Sequence, residues 1–318
     1  GTELVRVRNS LLYSVADEAR FDWDPAHPPE DFVNEERHDD NPLAAATVGA
    51  LAAAGSPDRH LEKAMALTRH LHTYWGDGVA IQSDLVSTYD GILRNGHGDC
   101  ADFDTVFIAM ALQAGLQVRE WGFGVDGFAN GHKFSEVYDR ALGRWVFLDV
   151  FNGFYVLDTE KGRPLSVLEF RRALLSADIG KLRVVRLSPH PFRLHDDAGA
   201  IAYYMRGADQ MFLWWGNAVI SYDAEVSTRY ADTLGRALQR AVAVAEGEHP
   251  NLKIIRSSTN EMFIRRLLYA KYEFFGLLLV EAFLVFACLM LIGRTLLRAR
   301  RLRREALLLD AAVKARPA

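Results

Sequence analysis

Apolar residues along the first half of the chain recur at three- and four-residue spacing, and after Gly115 the period falls to two. Residues 43–55, "LAAATVGALAAAG", read as a helix closed by Gly55. Ser56-Pro57-Asp58 then starts a second one, "RHLEKAMALTRHLHTYW", with Leu61, Met65, Leu67 and Leu71 near helical spacing. A shorter helix in 83–95 precedes the segment "RNGHGDCADFDTVFIAMALQAG". In that segment Asp99 is a good N-cap and Gly115 a good C′ residue, which predicts a helix over 100–114. Its apolar face is Phe103, Val106, Phe107, Met110 and Ala114, and Cys100 stands at the N-terminal end of that stripe.

Beyond Gly115, "LQVREWGFGV" reads as a strand, and "HKFSEVYDR" and "RWVFLDVF" flank "ALG" as an antiparallel hairpin. On its first strand His132, Phe134, Glu136 and Tyr138 share a face. On the second, Trp145, Phe147 and Asp149 share one face, while Val146, Leu148 and Val150 fill the other. Apolar residues on both faces predict a central strand buried on both sides. Farther on, 163–177 predicts a helix, 181–187 a strand, 190–197 a loop, 228–247 a helix and 249–258 a strand. Residues 4–15 fit strand or helix, 24–42 is a proline-rich charged loop, and the aromatic stretch 200–222 fits no single period. Its Trp214 and Trp215 suit core packing first, and a sugar platform or partner surface second.

The end of the chain changes the picture. Residues 274–293, "FFGLLLVEAFLVFACLMLIG", carry one ionisable group and suffice for one bilayer crossing. Arg294, Arg298, Arg300, Arg301, Arg303 and Arg304 follow the span, whereas only Arg265, Arg266 and Lys271 closely precede it. The positive-inside rule then places the tail in the cytoplasm and the larger N-terminal part outside it, periplasmic if the membrane is an inner one. Such export calls for a signal or first membrane helix upstream of Gly1. Glu281, near the middle of the span, is costly in hydrocarbon. It is expected to be protonated, to pair within a membrane-protein complex, or to reach the interface by snorkelling. The expected organisation is an extension at 1–57, a core at 58–160, an appended mixed region at 161–262, a membrane approach and span at 263–295, and a basic tail at 296–318.

Composition adds mainly exclusions. The 318 residues are 50% hydrophobic and 25% charged, which is the balance of a folded chain. With a net charge of -4 and no basic stripe in the body, nucleic acid is not an expected partner. Two cysteines, Cys100 and Cys288, exclude a disulfide framework. No calcium loop or His/Cys cluster supports a metal, and no cofactor motif is found.

Three polar residues occupy positions that call for explanation: Cys100 at a helix start, His132 at a strand start and Asp149 at the end of the neighbouring strand. A helix N-terminus favours an anion, so a thiolate fits there. An imidazole would take the thiol proton, and a carboxylate would hold that imidazole in place. A buried structural cysteine is the competing reading. The sequence "GHGDCADF…ALQAGLQVR…GHKFSEVY…RWVFLDV" resembles the transglutaminase-like superfamily of papain-type thiol enzymes, among them bacterial membrane-anchored members. Gly98 with Cys100, Gly115 with Arg119, His132 with Phe134, Glu136, Val137 and Tyr138, and Trp145 with Asp149 carry the resemblance, over about residues 58–157.

The resemblance implies an α+β fold with the nucleophile helix packed on an antiparallel sheet. It also implies Cys100 as nucleophile, His132 as general base and Asp149 as orienting carboxylate. The implied activity is protease, amidase or acyl transfer on a peptide or protein through a thioester, with hydrolysis expected over cross-linking. Two positions depart from the pattern, Asp104 in place of a small residue and Val150 in place of Pro. A carboxylate at Asp104, one turn from Cys100, would oppose the helix dipole. It favours the alternative of a non-catalytic assembly subunit, for instance in a complex handling cell-surface polysaccharide. His97 is expected in solvent, Glu136 competes with Asp149 for the orienting role, and the Cys100 N–H is the expected oxyanion donor.

Overall fold

The computed structural model describes residues 2–73, 78–81, 83–128, 130–188, 194, 196–229 and 251–314. Most of the helix expected over 228–247 and most of the loop at 190–197 fall outside these residues. Gly1–Leu267 and Leu268–Ala318 form two compact units.

The first unit is built on a six-stranded sheet of order β1-β9-β8-β2-β3-β4. Its strands are β1 (Tyr13–Ala16), β2 (Val118–Val125), β3 (Asn130–Asp139), β4 (Arg144–Leu148), β8 (Met211–Trp214) and β9 (Leu252–Ile255). All its pairings are antiparallel except β1 with β9, which run parallel. A second, three-stranded sheet has β5 (Phe154–Asp158) between β6 (Arg163–Pro164) and β7 (Leu182–Arg186). The hairpin lies where its alternation predicts, with Val137 opposite Val146 and Asp139 opposite Arg144. Yet β4 is the edge of its ladder, not a central strand. It is nevertheless buried on both faces, and its Phe147 N–H donates to the Leu165 carbonyl. Burial on both faces therefore does not require a hydrogen-bonded neighbour on each side.

Helices α2 (Ala44–Ala53), α3 (His60–Leu71) and α4 (Leu85–Asn95) gather around α5 (Cys100–Gln113). Phe103, Val106, Phe107 and Met110 of α5 join Val118, Val137 and Leu148 of the sheet in one core. A second core unites Phe123, Phe134 and Phe147 with α6 (Val167–Leu175) and with Tyr204 of α7 (Asp197–Met205). Residues 4–12, which fitted strand or helix, belong to α1 (Thr2–Leu12), and the chain then enters β1. Strands β1, β8 and β9, from segments read as extension and appendage, thus lie in the same sheet as the hairpin. Trp214 and Trp215 are buried, so they pack in the core and form no platform. Another helix, α8 (Ile220–Arg229), has its first N–H groups capped by Glu35, whose carboxylate accepts from Val219, Ile220 and Ser221.

The chain ends in α9 (Glu261–Lys314). Among the described residues it is the one helix long and apolar enough to cross a membrane. Its mean hydropathy reaches 2.7 over a window that is 0% buried within the protein.

Candidate active site

The loop into α5 turns on glycine. Gly96 closes α4 at φ 65°, and Gly98 follows at φ 119°. A Cβ at Gly98 would stand 3.1 Å from the Phe103 ring and 3.3 Å from Ile92, so both conformation and space call for glycine there. Asp99 then caps α5. Its Oδ1 accepts from the Ala101 and Asp102 N–H groups at 2.9 and 3.1 Å, and Asp102 Oδ2 accepts from the Asp99 N–H at 3.0 Å. This reciprocal capping leaves the Cys100 N–H outside the cap's bonds, at the helix start that forms the dipole's positive end. Cys100 is half-buried and His97 is exposed, as expected for a loop histidine.

His132 is brought to the thiol by β3. Its Nε2 and Asp149 Oδ2 are 2.9 Å apart, both side chains being fully enclosed, and the thiol of Cys100 lies near enough to the same imidazole to help raise its pKa. With Nε2 turned to Asp149, Nδ1 is the nitrogen that remains for sulfur. Asp149 lies just past β4, diagonal to His132 across the hairpin, and bridges Phe154 through two backbone hydrogen bonds. The structure thus brings together Cys100, His132 and Asp149.

Burial disfavours the imidazolium, but the charge and hydrogen bond of Asp149, with Cys100 on the other side, hold His132 well above its ordinary 6.5. Burial likewise opposes ionisation of Asp149, yet His132 and Asn152 bring its carboxyl below the ordinary 3.8. The two directions agree: the site favours the imidazolium–carboxylate pair. An imidazolium so placed stabilises a thiolate, and can later deliver a proton to a leaving amine.

Two site residues were missed in the sequence. Asn152 donates to Asp149 Oδ1 through its backbone N–H and to Oδ2 through Nδ2, at 2.9 and 2.7 Å. The hydroxyl of Tyr204 donates to Oδ2 at 2.7 Å. The first lies in the tight turn after β4, where an Asx contact three residues on is a readable signal. The second carries no such signal, being 55 residues away in a segment without a period. Tyr203, beside it, sets its partly exposed ring edge-on to His132 at 5.6 Å between centroids.

Glu136 does not compete for His132. Its Oε2 accepts from Arg119 Nε and Nη2 and from Trp121 Nε1, and its Oε1 from the Val167 N–H. Arg119 is caged between Trp23 and Trp145, so this pair serves the core. Asp104 also departs from expectation. It is fully buried and accepts from the Ser135 hydroxyl at 2.6 Å. Burial, with Glu120 nearby, holds its carboxyl well above the ordinary 3.8, favouring the neutral acid. A neutral Asp104 does not oppose a thiolate at Cys100.

Residues 46–150 match the Transglutaminase-like superfamily. This segment is a transglutaminase-like domain. The match ends one residue past Asp149, so the transglutaminase-like segment holds Cys100, His132 and Asp149 but neither Asn152 nor Tyr204. Among solved structures the chain is similar to a putative cysteine protease from Cytophaga hutchinsonii. The two are 18% identical over 54% of each chain, with a TM-score of 0.29, a likeness that carries no argument about mechanism. The chain therefore spans about half the length of that structure. No curated protein matches the chain.

Proposed function

We propose that the chain is a membrane-anchored cysteine enzyme that cleaves or transfers amide bonds outside the cytoplasm. The observation that carries this reading is the placing of Cys100, at the start of α5, beside the enclosed His132–Asp149 pair. In the proposed reaction the Cys100 thiolate attacks the carbonyl carbon of a peptide or carboxamide. The resulting oxyanion is held by the Cys100 N–H. Collapse breaks the C–N bond, and the His132 imidazolium gives its proton to the departing amine, leaving a thioester on Cys100. Water, deprotonated by His132, then attacks the thioester, releasing a carboxylic acid and restoring the thiolate–imidazolium pair. An amine in place of water would give a new amide. Asp149 keeps the imidazole turned towards sulfur throughout. Asp104, which favoured a non-catalytic subunit, loses that weight as a neutral acid bonded to Ser135.

For location, the proposal rests on residues 274–293 of α9 as the span of the inner membrane and on the arginines that follow that span, which favour a cytoplasmic tail and an extracytoplasmic catalytic unit. The test of the chemistry is iodoacetamide labelling of the detergent-solubilised full chain. Cys100 should react near neutral pH faster than a free cysteine, and His132→Gln should abolish the excess. Reaction no faster than a free thiol would refute the activated nucleophile.

A further inference from the structure

Helix α7 comes from beyond the matched segment, yet it places two consecutive tyrosines on the site. Tyr204 is wholly enclosed, and its ring packs edge-on against His132, Phe123, Phe147 and Phe154. In that apolar cage its hydroxyl has, among the described residues, one partner, Asp149 Oδ2, at 2.7 Å. The same oxygen also faces His132 Nε2 at 2.9 Å and Asn152 Nδ2 at 2.7 Å. Three donors converge on an oxygen with two lone pairs, while Oδ1 receives the Asn152 N–H. Each donor disperses the negative charge and so weakens the attraction left for the others.

From this geometry we infer that Tyr204 is a positioning residue that shares Asp149 with His132 and so loosens the carboxylate's hold on the imidazole. The inference rests on the reading of the site as catalytic, where its use is clear. An imidazolium held too tightly by a buried carboxylate would surrender its proton reluctantly to a leaving amine. The phenol lowers that hold without adding charge, since burial and Asp149 keep its own ionisation well above the ordinary 10 and it stays a donor. The titratable groups around His132 are Cys100 and Asp104 from α5, Asp149 after β4, and Tyr203 and Tyr204 from α7. Of these, Tyr204 alone both touches the imidazole ring and donates to its carboxylate.

The test is the titration of His132 in the full chain in detergent, followed by NMR with 13Cε1-histidine, the His132 resonance being the one lost in His132→Gln. Tyr204→Phe keeps the ring and removes the donor. The His132 midpoint should then rise by about one pH unit, the scale of one hydrogen bond to a carboxylate. Replacing Tyr204 with 3-fluorotyrosine, a stronger donor of nearly the same size, should move it down. It also decides the matter should the phenylalanine variant fail to fold. A midpoint that stays fixed in the folded variants, or that moves in the opposite sense, would overturn the inference. A purely structural role for Tyr204 would change stability without this pair of opposite shifts. Because the readout is the titration of an imidazole, it stands whether or not Cys100 proves reactive.

Discussion

Glu136→Gln separates a structural pair from a second orienting carboxylate. In the native protein Glu136 Oε2 takes Arg119 Nε at 2.9 Å, Arg119 Nη2 at 2.5 Å and Trp121 Nε1 at 2.8 Å, while Oε1 takes the Val167 N–H at 2.7 Å. A glutamine has one oxygen. With that oxygen turned to Arg119 and Trp121, its NH2 faces the Val167 N–H; turned the other way, it faces three donors. Either orientation leaves a buried donor opposed and leaves the Arg119 guanidinium, 1% exposed, without its counter-charge. Breaking a buried pair from one side costs about 3–5 kcal/mol. That is a large part of the roughly 5–15 kcal/mol that holds a domain folded. Pulse proteolysis of the full chain across a urea series would read the loss. Cys100 alkylation, normalised to folded protein, would read the site. A loss in the stated range with unchanged reactivity is expected. A loss below about 1 kcal/mol, the scale of a solvent-exposed pair, together with slowed alkylation, would refute the structural assignment and make Glu136 a partner of His132.

Other perturbations follow from the same geometry. Asp149→Asn removes the charge that holds His132 above 6.5 and leaves the burial that lowers it. A partner charge moves a pKa by about 1–3, so Cys100 alkylation at neutral pH should slow by about 10- to 1,000-fold. The stability this pair confers has a defined window. The Asp149 contribution is present above 3.8 and fades as pH falls through its lowered pKa, whereas that of His132 is present below 6.5 and fades as pH rises through its raised pKa. Wild type should therefore exceed Asp149→Asn most in thermal melts between 3.8 and 6.5, and a gap that widens above neutrality would contradict the pairing. Asp104→Asn replaces a raised-pKa acid with a neutral isostere. Because the native group loses stability as pH rises above 3.8, the variant should gain on wild type in melts from acid to neutral pH, with Cys100 reactivity kept. A sharp rise in thiol reactivity would mean that Asp104 carries charge against it.

What could be read in the sequence follows from the range of the forces involved. Helix α5 and its Asp99 cap are local, set by neighbours three and four residues away, and the 3.6 period exposes them. The hairpin of β3 and β4 is nearly as local, so His132 and Asp149 could be brought within reach on paper. Beyond that range the signal fades. Nothing in "MFLW" or "LKII" says that β8 pairs with β2 and β9 with β8. Trp23, just before the proline-rich stretch, gave no hint that its carbonyl accepts from Trp145 Nε1 and its ring covers Arg119. The direction in which the Asp104 carboxyl is shifted was also illegible, because it depends on burial and on Glu120, which is distant in sequence. A carboxylate near a thiol reads as an opposing charge until its environment is known.

The transglutaminase-like segment therefore holds Cys100, His132 and Asp149 without all of the elements that support them. Its β2 is an interior strand only because β8 pairs with it, placing Trp121 opposite Leu213 and Phe123 opposite Met211. Without β8 the backbone of β2 would present an unpaired apolar edge, which favours aggregation over folding. Without α7, Asp149 loses the Tyr204 hydroxyl and His132 loses the ring that covers it. A fragment of residues 46–160 should accordingly be insoluble or molten, with Cys100 alkylating like a free thiol, whereas a fragment of residues 1–267, matching the compact first unit, should fold and keep the native rate. Sedimentation and near-ultraviolet circular dichroism would score folding, and iodoacetamide labelling the site. If the short fragment folded with an activated Cys100, the strands and helix from outside the matched segment would be passengers, and the site would need only what the matched residues contain.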